Sequence, residues 1–277
     1  LIDSTFEDWN IDPDLLIQGI ESAPKKPKAI LITHLFGMPS DFGLIESIGK
    51  RYDIPVIHDL AEAIGSRVNR QKPGENSECA IVSFNGNKLI TTSGGGALLT
   101  NNLEHYNRGL LLSTQAKTQG TGYNHSELGY NYRMSNVLAG LGLGQFSGIE
   151  SKILKKRTIY KYYYQNLSSI DGVRYQNEKE HFFSDRWLTT LYFDKDLFKP
   201  DLVAKIIKNL DAENIESRHI WKPMHLQPLY KHVNAIGGSV SESLFENGLC
   251  LPSGTGLKHS DQDRVIDTIV STLKAYQ

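Results

Sequence analysis

The chain has 277 residues, of which 39% are hydrophobic and 22% are charged, a composition typical of a globular protein with a sizeable core. Its 30 basic and 31 acidic side chains give a formal net charge of -1, which offers no attraction to a nucleic-acid backbone. No apolar run approaches the roughly twenty residues needed to cross a bilayer, so the composition excludes nucleic-acid and membrane partners.

The first residues bear on whether the domain is complete, and the two cysteines bear on the compartment of the protein. Residues 1–12 read as the middle of a domain, and Leu1 stands where a starter methionine would be, so we expect the N-terminal part of this domain to be missing. Cys79 and Cys250 lie in apolar stretches, which predict buried and reduced thiols. Reduced thiols are typical of a cytoplasmic protein.

The first third of the chain alternates predicted strands with a predicted helix. Apolar runs at 29–33, 55–58 and 80–84 predict buried strands, and apolar residues at helical spacing follow Ser40. A fourth strand is predicted at 96–100. Strands that alternate with helices over such short distances indicate a parallel sheet with helices on its faces. We therefore predict an α/β fold with a mostly parallel central sheet.

The middle of the chain predicts a connection between two domains. A helix is expected at 102–113, and the polar loop at 114–132 is long enough to have a function of its own. Ser135 is a suitable N-cap for a helix that extends to about residue 167. Apolar residues recur along it at helical spacing, so one long bridging helix, 135–167, with a buried face is predicted.

The rest of the chain predicts a smaller α+β domain. Strands are expected at 187–193, where apolar and polar residues alternate, and at 247–251, with a helix at 200–210 between them. A final helix should begin at the capping box 260–263. We divide the chain into a large cofactor-binding domain, 1–147, and a small C-terminal domain, 148–277.

Polar side chains follow two neighbouring predicted strands. Asp59 comes directly after one strand, Ser83 lies at the end of the next, and Lys88 lies in the connection that follows. Glu62 is three residues beyond Asp59. Because ligands bind at the carboxyl ends of parallel strands, Asp59, Ser83 and Lys88 should share one edge of the sheet. Their types and spacing predict a pyridoxal phosphate site.

Each of these residues can meet a chemical requirement of such a site. Pyridoxal phosphate needs a lysine for its aldehyde, an anion beside its pyridine nitrogen, a partner for its hydroxyl and donors for its phosphate. Lys88 would form the Schiff base and then act as general base and acid. Asp59 would hold the proton on the pyridine nitrogen, Ser83 would donate to the phosphate, and Glu62 would lie beside the ring.

Ordinary interpretations compete with these assignments. Alone, a lysine after a strand is more often a solvated charge, and an aspartate at a strand end is more often a turn or helix cap. Arg133 could pair with a diphosphate or anchor its own loop. His219 and His225 could contact a sugar or diphosphate, or could be surface histidines. They have no third ligand nearby, so no metal site is predicted.

Three motifs resemble those of the DegT/DnrJ/EryC1/StrS sugar aminotransferases, and the resemblance extends over nearly the whole chain. They are Asp59-Leu-Ala-Glu62, the segment from Ser83 to Lys88, and the loop at 129–135. The resemblance implies a fold type I, pyridoxal phosphate-dependent aminotransferase. It also implies that Asn131 reaches the cofactor phosphate of a neighbouring subunit, and hence a homodimer with shared active sites.

Residues 221–228 and 249–254 resemble signatures of the branch of this family that aminates UDP-linked 4-keto-6-deoxy-N-acetylhexosamines, as in bacillosamine synthesis. The resemblance implies transfer of an amino group from L-glutamate to C4 of a nucleotide-linked 4-keto-6-deoxysugar, with UDP-2-acetamido-4-keto-2,6-dideoxyhexose as the expected substrate, for surface glycan synthesis. Two departures stand out: many relatives have glutamine in place of Glu62, and family members have about a hundred further N-terminal residues. The alternative is a non-catalytic regulatory or sugar-nucleotide-binding protein of the same fold.

Overall fold

The computed structural model describes residues 1–118, 120 and 122–276. Gln119 and Thr121 of the predicted loop, and Gln277 at the end of the predicted small domain, lie outside the described residues. The helices are α1 Pro13–Glu21, α2 Phe42–Tyr52, α3 Leu103–Ser113, α4 Asn136–Phe146, α5 Ile149–Leu167, α6 Leu202–Ala212, α7 Ser239–Asn247 and α8 His259–Tyr276. The strands are β1 Ile30–Thr33, β2 Val56–Asp59, β3 Arg67–Val68, β4 Cys79–Ser83, β5 Gly96–Leu99, β6 Val173–Arg174, β7 Phe182–Phe183, β8 Thr189–Phe193, β9 Arg218–His219 and β10 Gly248–Leu251.

A four-stranded sheet in the order β1-β2-β4-β5 forms the centre of the N-terminal half. The first three strands are parallel, and β5 is an antiparallel edge, which confirms a mostly parallel sheet. One face packs against α1 and α2 through a cluster that includes Ile32, Val56 and Ile45. The opposite face exposes Leu31 and Ile81 in the described chain. The two faces therefore differ, because only one of them is packed by these helices.

An antiparallel sheet in the order β6-β8-β10-β9 forms the centre of the C-terminal half. Its main core joins α5, α6 and α8 to the sheet, with Leu191 and Phe193 of β8 among the buried residues. Tyr192 of β8 points into a second cluster with Trp9. Every residue of β8 is therefore buried, because both faces of the sheet are covered, and the strand predicted at 187–193 is confirmed at 189–193. The division into domains at 147 and 148 stays a prediction.

The predicted bridging helix is two helices. Ser135 caps α4 as expected, its Oγ accepting from the Leu138 amide at 3.4 Å. The break lies at residues 147–148, where Gly148 has non-helical dihedral angles of -102° and 11°. The apolar positions of α4, including Leu141 and Phe146, are exposed, whereas Ile153 of α5 is buried. The predicted buried face is therefore present on α5 only.

Other predicted boundaries move by one or two residues. Asp41, not Ser40, caps α2, and the Ser40 amide donates instead to His34 Nδ1 at 3.0 Å. Helix α8 begins before the predicted capping box, with Asp261 accepting from the Lys258 amide. Cys250 is buried as expected, but Cys79 is only half-buried. In the described part of the chain, no helix has the length and apolar character needed to cross a membrane.

Candidate active site

Two of the predicted site residues are the last residues of parallel neighbouring strands. Asp59 ends β2 and pairs in register with Ile81 of β4, and Ser83 ends β4 two residues further on. Side chains two residues apart on a strand point to the same face, so Asp59 and Ser83 share a face and an edge of the sheet. Each also holds its own turn: Asp59 Oδ1 accepts from the Ala61 amide at 2.9 Å, and Ser83 Oγ accepts from the Asn85 amide at 3.3 Å.

Lys88 lies in the closed loop that joins β4 to antiparallel β5. The Phe84 amide donates to the Gly95 carbonyl at 3.0 Å, and the Thr92 amide donates to the Phe84 carbonyl at 2.9 Å, so the ends of the loop are joined. Gly95 has a φ of 94°, a conformation that favours glycine. This closure holds Lys88 just beyond the edge where Ser83 lies.

The amine of Lys88 has two partners. Its Nζ is 3.5 Å from Glu62 Oε1 and 3.9 Å from the centroid of the Trp187 ring. The side chains of Lys88 and Glu62 are 13% and 10% exposed, respectively. An ammonium removed from water in this way is stabilised by a carboxylate and by the face of an aromatic ring. The structure therefore brings Lys88 and Glu62 together.

Glu62 is held by donors from two other segments. Its Oε2 accepts from the Phe36 amide at 2.8 Å, and its Oε1 accepts from Trp221 Nε1 at 3.0 Å. Phe36, whose amide donates to Glu62, has a φ of 59°, a conformation uncommon for a non-glycine residue. Burial raises the pKa of Glu62, although these hydrogen bonds and the charge of Lys88 oppose the rise.

Trp187 is held through its backbone and through its ring. Its amide donates to Asp185 Oδ1 at 3.1 Å, and its carbonyl accepts from Lys156 Nζ at 2.8 Å. Its indole Nε1 donates to the carbonyl of Asn87, the residue before Lys88, at 2.8 Å. Asp185 and Lys156 are both buried. Burial raises the pKa of Asp185 to about 7 and lowers the pKa of Lys156 to about 8.

The remaining predicted site residues lie elsewhere or make other contacts. Asn131 is exposed and forms a backbone bridge with Thr114, and Arg133 is also exposed. His219 Nδ1 lies 3.0 Å from the Phe245 carbonyl, and His225 Nε2 lies 2.8 Å from Glu242 Oε1. Among the residues that the structure describes, no contact joins these four residues to Lys88.

Three aromatic residues around Lys88 and Glu62 were not predicted as site residues. Trp187 was assigned only to a strand, Trp221 only to a motif, and Phe36 to no element. Phe36 and Trp221 have ring centroids 5.4 Å apart, and Trp187 and Trp221 are 6.1 Å apart. The one available signal was the charged pair Asp185-Arg186 directly before Trp187 in an apolar stretch.

The donor set fits pyridoxal phosphate. A sheltered lysine amine can bond an aldehyde, and the Asp59 carboxylate and Ser83 hydroxyl at the neighbouring sheet edge match a pyridinium nitrogen and a phosphate. Because both strand ends lie on one face, these groups approach a ligand from the same side.

Comparison with known proteins agrees with the pyridoxal phosphate site described above. A family model described as the DegT/DnrJ/EryC1/StrS aminotransferase family matches residues 1–270. EpsN of Bacillus subtilis (strain 168), which carries the assignment of a pyridoxal phosphate-dependent aminotransferase, is 40% identical over 278 residues, covering 97% of this chain and 70% of that protein. GDP-perosamine synthase of Caulobacter vibrioides is 32% identical over 278 residues, covering 99% and 72%. The crystal structure of a DegT DnrJ EryC1 StrS aminotransferase from Brucella abortus has a TM-score of 0.86 and 26% identity, covering 98% of this chain and 72% of that one.

Proposed function

The chain belongs to the DegT/DnrJ/EryC1/StrS aminotransferase family and is a pyridoxal phosphate-dependent sugar aminotransferase; on that premise we propose that it transfers an amino group from L-glutamate to C4 of a nucleotide-linked 4-keto-6-deoxysugar. The observation that carries this proposal is the sheltered amine of Lys88, 3.5 Å from Glu62 and next to the edge formed by Asp59 and Ser83. A lysine amine in this position can serve as both nucleophile and proton carrier.

When bound, pyridoxal phosphate supplies an aldehyde that bonds amines and a ring that withdraws electrons. Lys88 would hold the aldehyde carbon and, once released, would move a proton at Nζ. Asp59 would face the pyridine nitrogen and keep it protonated, because a nearby negative charge favours the charged form. Ser83 would donate its hydroxyl to the phosphate. Glu62 would lie beside the ring and hold the Lys88 amine close to it.

We further propose that the substrate is UDP-2-acetamido-4-keto-2,6-dideoxyhexose, as in bacillosamine synthesis for a lipopolysaccharide, capsule or other surface glycan. The signatures at 221–228 and 249–254 support this choice. GDP-perosamine synthase is a relative with a different nucleotide in its name, so UDP and GDP sugars must be compared directly. Arg133 is proposed to bind the diphosphate, and His219 and His225 the sugar, each through the ring nitrogen that does not make the bond described above.

The proposed assembly is a homodimer in the cytoplasm with shared active sites. Helix α4 is rich in apolar side chains, and those of Val137, Leu143 and Phe146 are exposed in the described chain. Several large apolar side chains exposed on one helix are typical of a protein interface. Loop 129–135 precedes α4 directly, so pairing through α4 would bring Asn131 towards a second copy. The free Cys79 and Cys250 support a reducing compartment.

Borohydride reduction of the holoenzyme tests the cofactor assignment. Reduction followed by peptide mass mapping should give a pyridoxyl adduct on Lys88. Lys88→Ala should abolish the adduct and the transfer of an amino group from glutamate, whereas Lys72→Ala, at an exposed lysine, should retain both. An adduct on another lysine would refute the assignment of Lys88, and a colourless protein without an adduct would favour the non-catalytic alternative.

The substrate is tested by assaying amino transfer from glutamate to matched UDP- and GDP-linked 4-keto-6-deoxysugars, with and without the 2-acetamido group. The proposal expects the highest kcat/KM for the UDP-linked 2-acetamido sugar. A preference for the GDP-linked sugar would overturn the choice of nucleotide while leaving the class of reaction intact.

A further inference from the structure

We propose that Glu62 and Trp187 form a binding site for the ammonium group of Lys88, used whenever Lys88 is not bonded to the cofactor. We call this pair the ammonium site. The inference rests on the function proposed above, because it concerns the lysine that is released during amino transfer. It gives Trp187 a positioning role in the reaction.

The contacts of the ammonium site suit a cation. Lys88 Nζ lies 3.5 Å from a carboxylate oxygen of Glu62 and 3.9 Å from the centre of the Trp187 ring. Trp187 is fully buried, and the Lys88 side chain is largely removed from solvent. A sheltered ammonium needs partners to replace its water, and an indole face is the best aromatic partner for a cation.

Trp187 is placed independently of the ammonium. Asp185 fixes its amide, Lys156 fixes its carbonyl, and its indole N–H is bonded to the Asn87 carbonyl. The last bond ties the ring to the residue next to Lys88, so the ring and the lysine backbone keep a fixed separation. A ring that is held in this way costs little further ordering when the ammonium binds.

Glu62 is also placed in advance. The Phe36 amide and Trp221 Nε1 each donate to one of its oxygens, at 2.8 and 3.0 Å. The carboxylate therefore keeps its orientation whether or not Lys88 is near. Glu62 comes from the segment after β2 and Trp187 from the residues before β8, so the ammonium site joins the two sheets around one amine.

The ammonium site has a thermodynamic consequence. When glutamate displaces Lys88, the glutamate nitrogen would take over the double bond to the aldehyde carbon, and the double bond from that carbon to Nζ would break. Nζ, which carries one proton while it is bonded to that carbon, would keep both electron pairs and take the two protons that the glutamate ammonium gives up. The ammonium that results can bind to the site, whereas an Nζ bonded to carbon cannot do so as a free ammonium. The site therefore stabilises the enzyme with pyridoxamine phosphate, the amine form, relative to the enzyme with pyridoxal phosphate, the aldehyde form.

Trp187→Leu and Trp187→Phe test this in the holoenzyme. The absorbance of the bound cofactor reports the ratio of glutamate to 2-oxoglutarate at which half of the enzyme is in the amine form. Leucine removes the aromatic face, so this ratio should rise about tenfold. Phenylalanine retains a ring face and loses only the bond to Asn87, so its ratio should stay within about threefold of wild type. Equal ratios for wild type and Trp187→Leu would overturn the inference.

A second readout separates this inference from the proposed function. In enzyme loaded directly with pyridoxamine phosphate, an amine-specific reagent should label Lys88 several-fold faster in Trp187→Leu than in wild type, by peptide mass mapping. Glu62→Gln should have the same effect and serves if Trp187→Leu does not fold. Unchanged labelling in both variants would reject the ammonium site. Failure of glutamate to convert the wild-type cofactor would instead reject the proposed amino donor.

Discussion

Lys156→Met should destabilise the fold while leaving the predicted site residues unchanged. Lys156 is only 7% exposed, and its Nζ donates to the Trp187 carbonyl at 2.8 Å. The positive charge of Lys156 also opposes the rise in the pKa of Asp185 that burial causes, and Asp185 is 0% exposed. Methionine has a similar length and volume, so the change removes the charge and the donor without opening a large cavity.

The magnitude follows from the partner that is left behind. Without Lys156, the buried Trp187 carbonyl loses its donor, and a buried polar group left unsatisfied costs about 1–3 kcal/mol. For a chain of this size each kcal/mol lowers Tm by about 2–4 °C, so Tm should fall by about 2–12 °C. Adding Asp185→Asn removes the carboxyl whose charged form Lys156 favours, so the double variant should recover about 0.5–3 kcal/mol relative to additivity.

Urea unfolding of wild type, both single variants and the double variant, at one protein concentration, measures these free energies. Lys155→Met, at the exposed neighbouring lysine, is the matched control and should stay within about 0.5 kcal/mol of wild type. A Lys156→Met protein within about 0.5 kcal/mol of wild type, or a double variant whose loss is the sum of the single losses, would refute this account of Lys156.

Three further predictions concern pH, a second buried charge and assembly. Burial raises the pKa of Asp185 to about 7. The contribution of Asp185 to the free energy of unfolding is therefore present at pH 4 and is lost as the pH rises to about 7. Asp185→Asn should flatten this pH dependence in urea titrations from pH 4 to 8. Glu178→Gln should cost about 3 kcal/mol in the same assay, since it leaves the buried guanidinium of Arg186 without the carboxylate now 2.9 Å away; a loss below about 1 kcal/mol would contradict this. Leu143→Lys on α4 should shift the protein from dimer to monomer in sedimentation velocity, whereas Leu154→Lys on α5, also at an exposed leucine, should not; a stable dimer in the α4 variant would place the interface elsewhere.

The central sheet and the ends of its strands could be predicted from the sequence because burial dictates both. Strands β1, β2 and β4 are short apolar runs with turn residues between them, and that pattern is sufficient to place them. Once the strands are parallel, Asp59 and Ser83 must fall at one edge. The contact of Glu62 with Lys88 then follows from two short connections that leave the same edge.

The sequence could not predict what packs against each helix and strand, because periodicity shows that a face is apolar without showing which residues cover it. Leu141 and Phe146 have the spacing of a buried face, yet they are exposed on α4. Residues of β8 are all buried because a second cluster covers the other face of the sheet. In both cases, the residues nearby in sequence do not show whether a face is covered.

The contact between Lys88 and Trp187 shows why the site is larger than its motifs. The two residues come from different sheets, and no local pattern relates the loop after β4 to the residues before β8. Trp187 in turn depends on Lys156, which lies on α5 and does not reach the amine of Lys88 itself. A substitution of Lys156 can therefore act on the amine of Lys88 through the backbone of Trp187. For this reason Lys156→Met should change the glutamate to 2-oxoglutarate ratio in the same direction as Trp187→Leu but by a smaller factor, whereas Lys155→Met should leave that ratio unchanged.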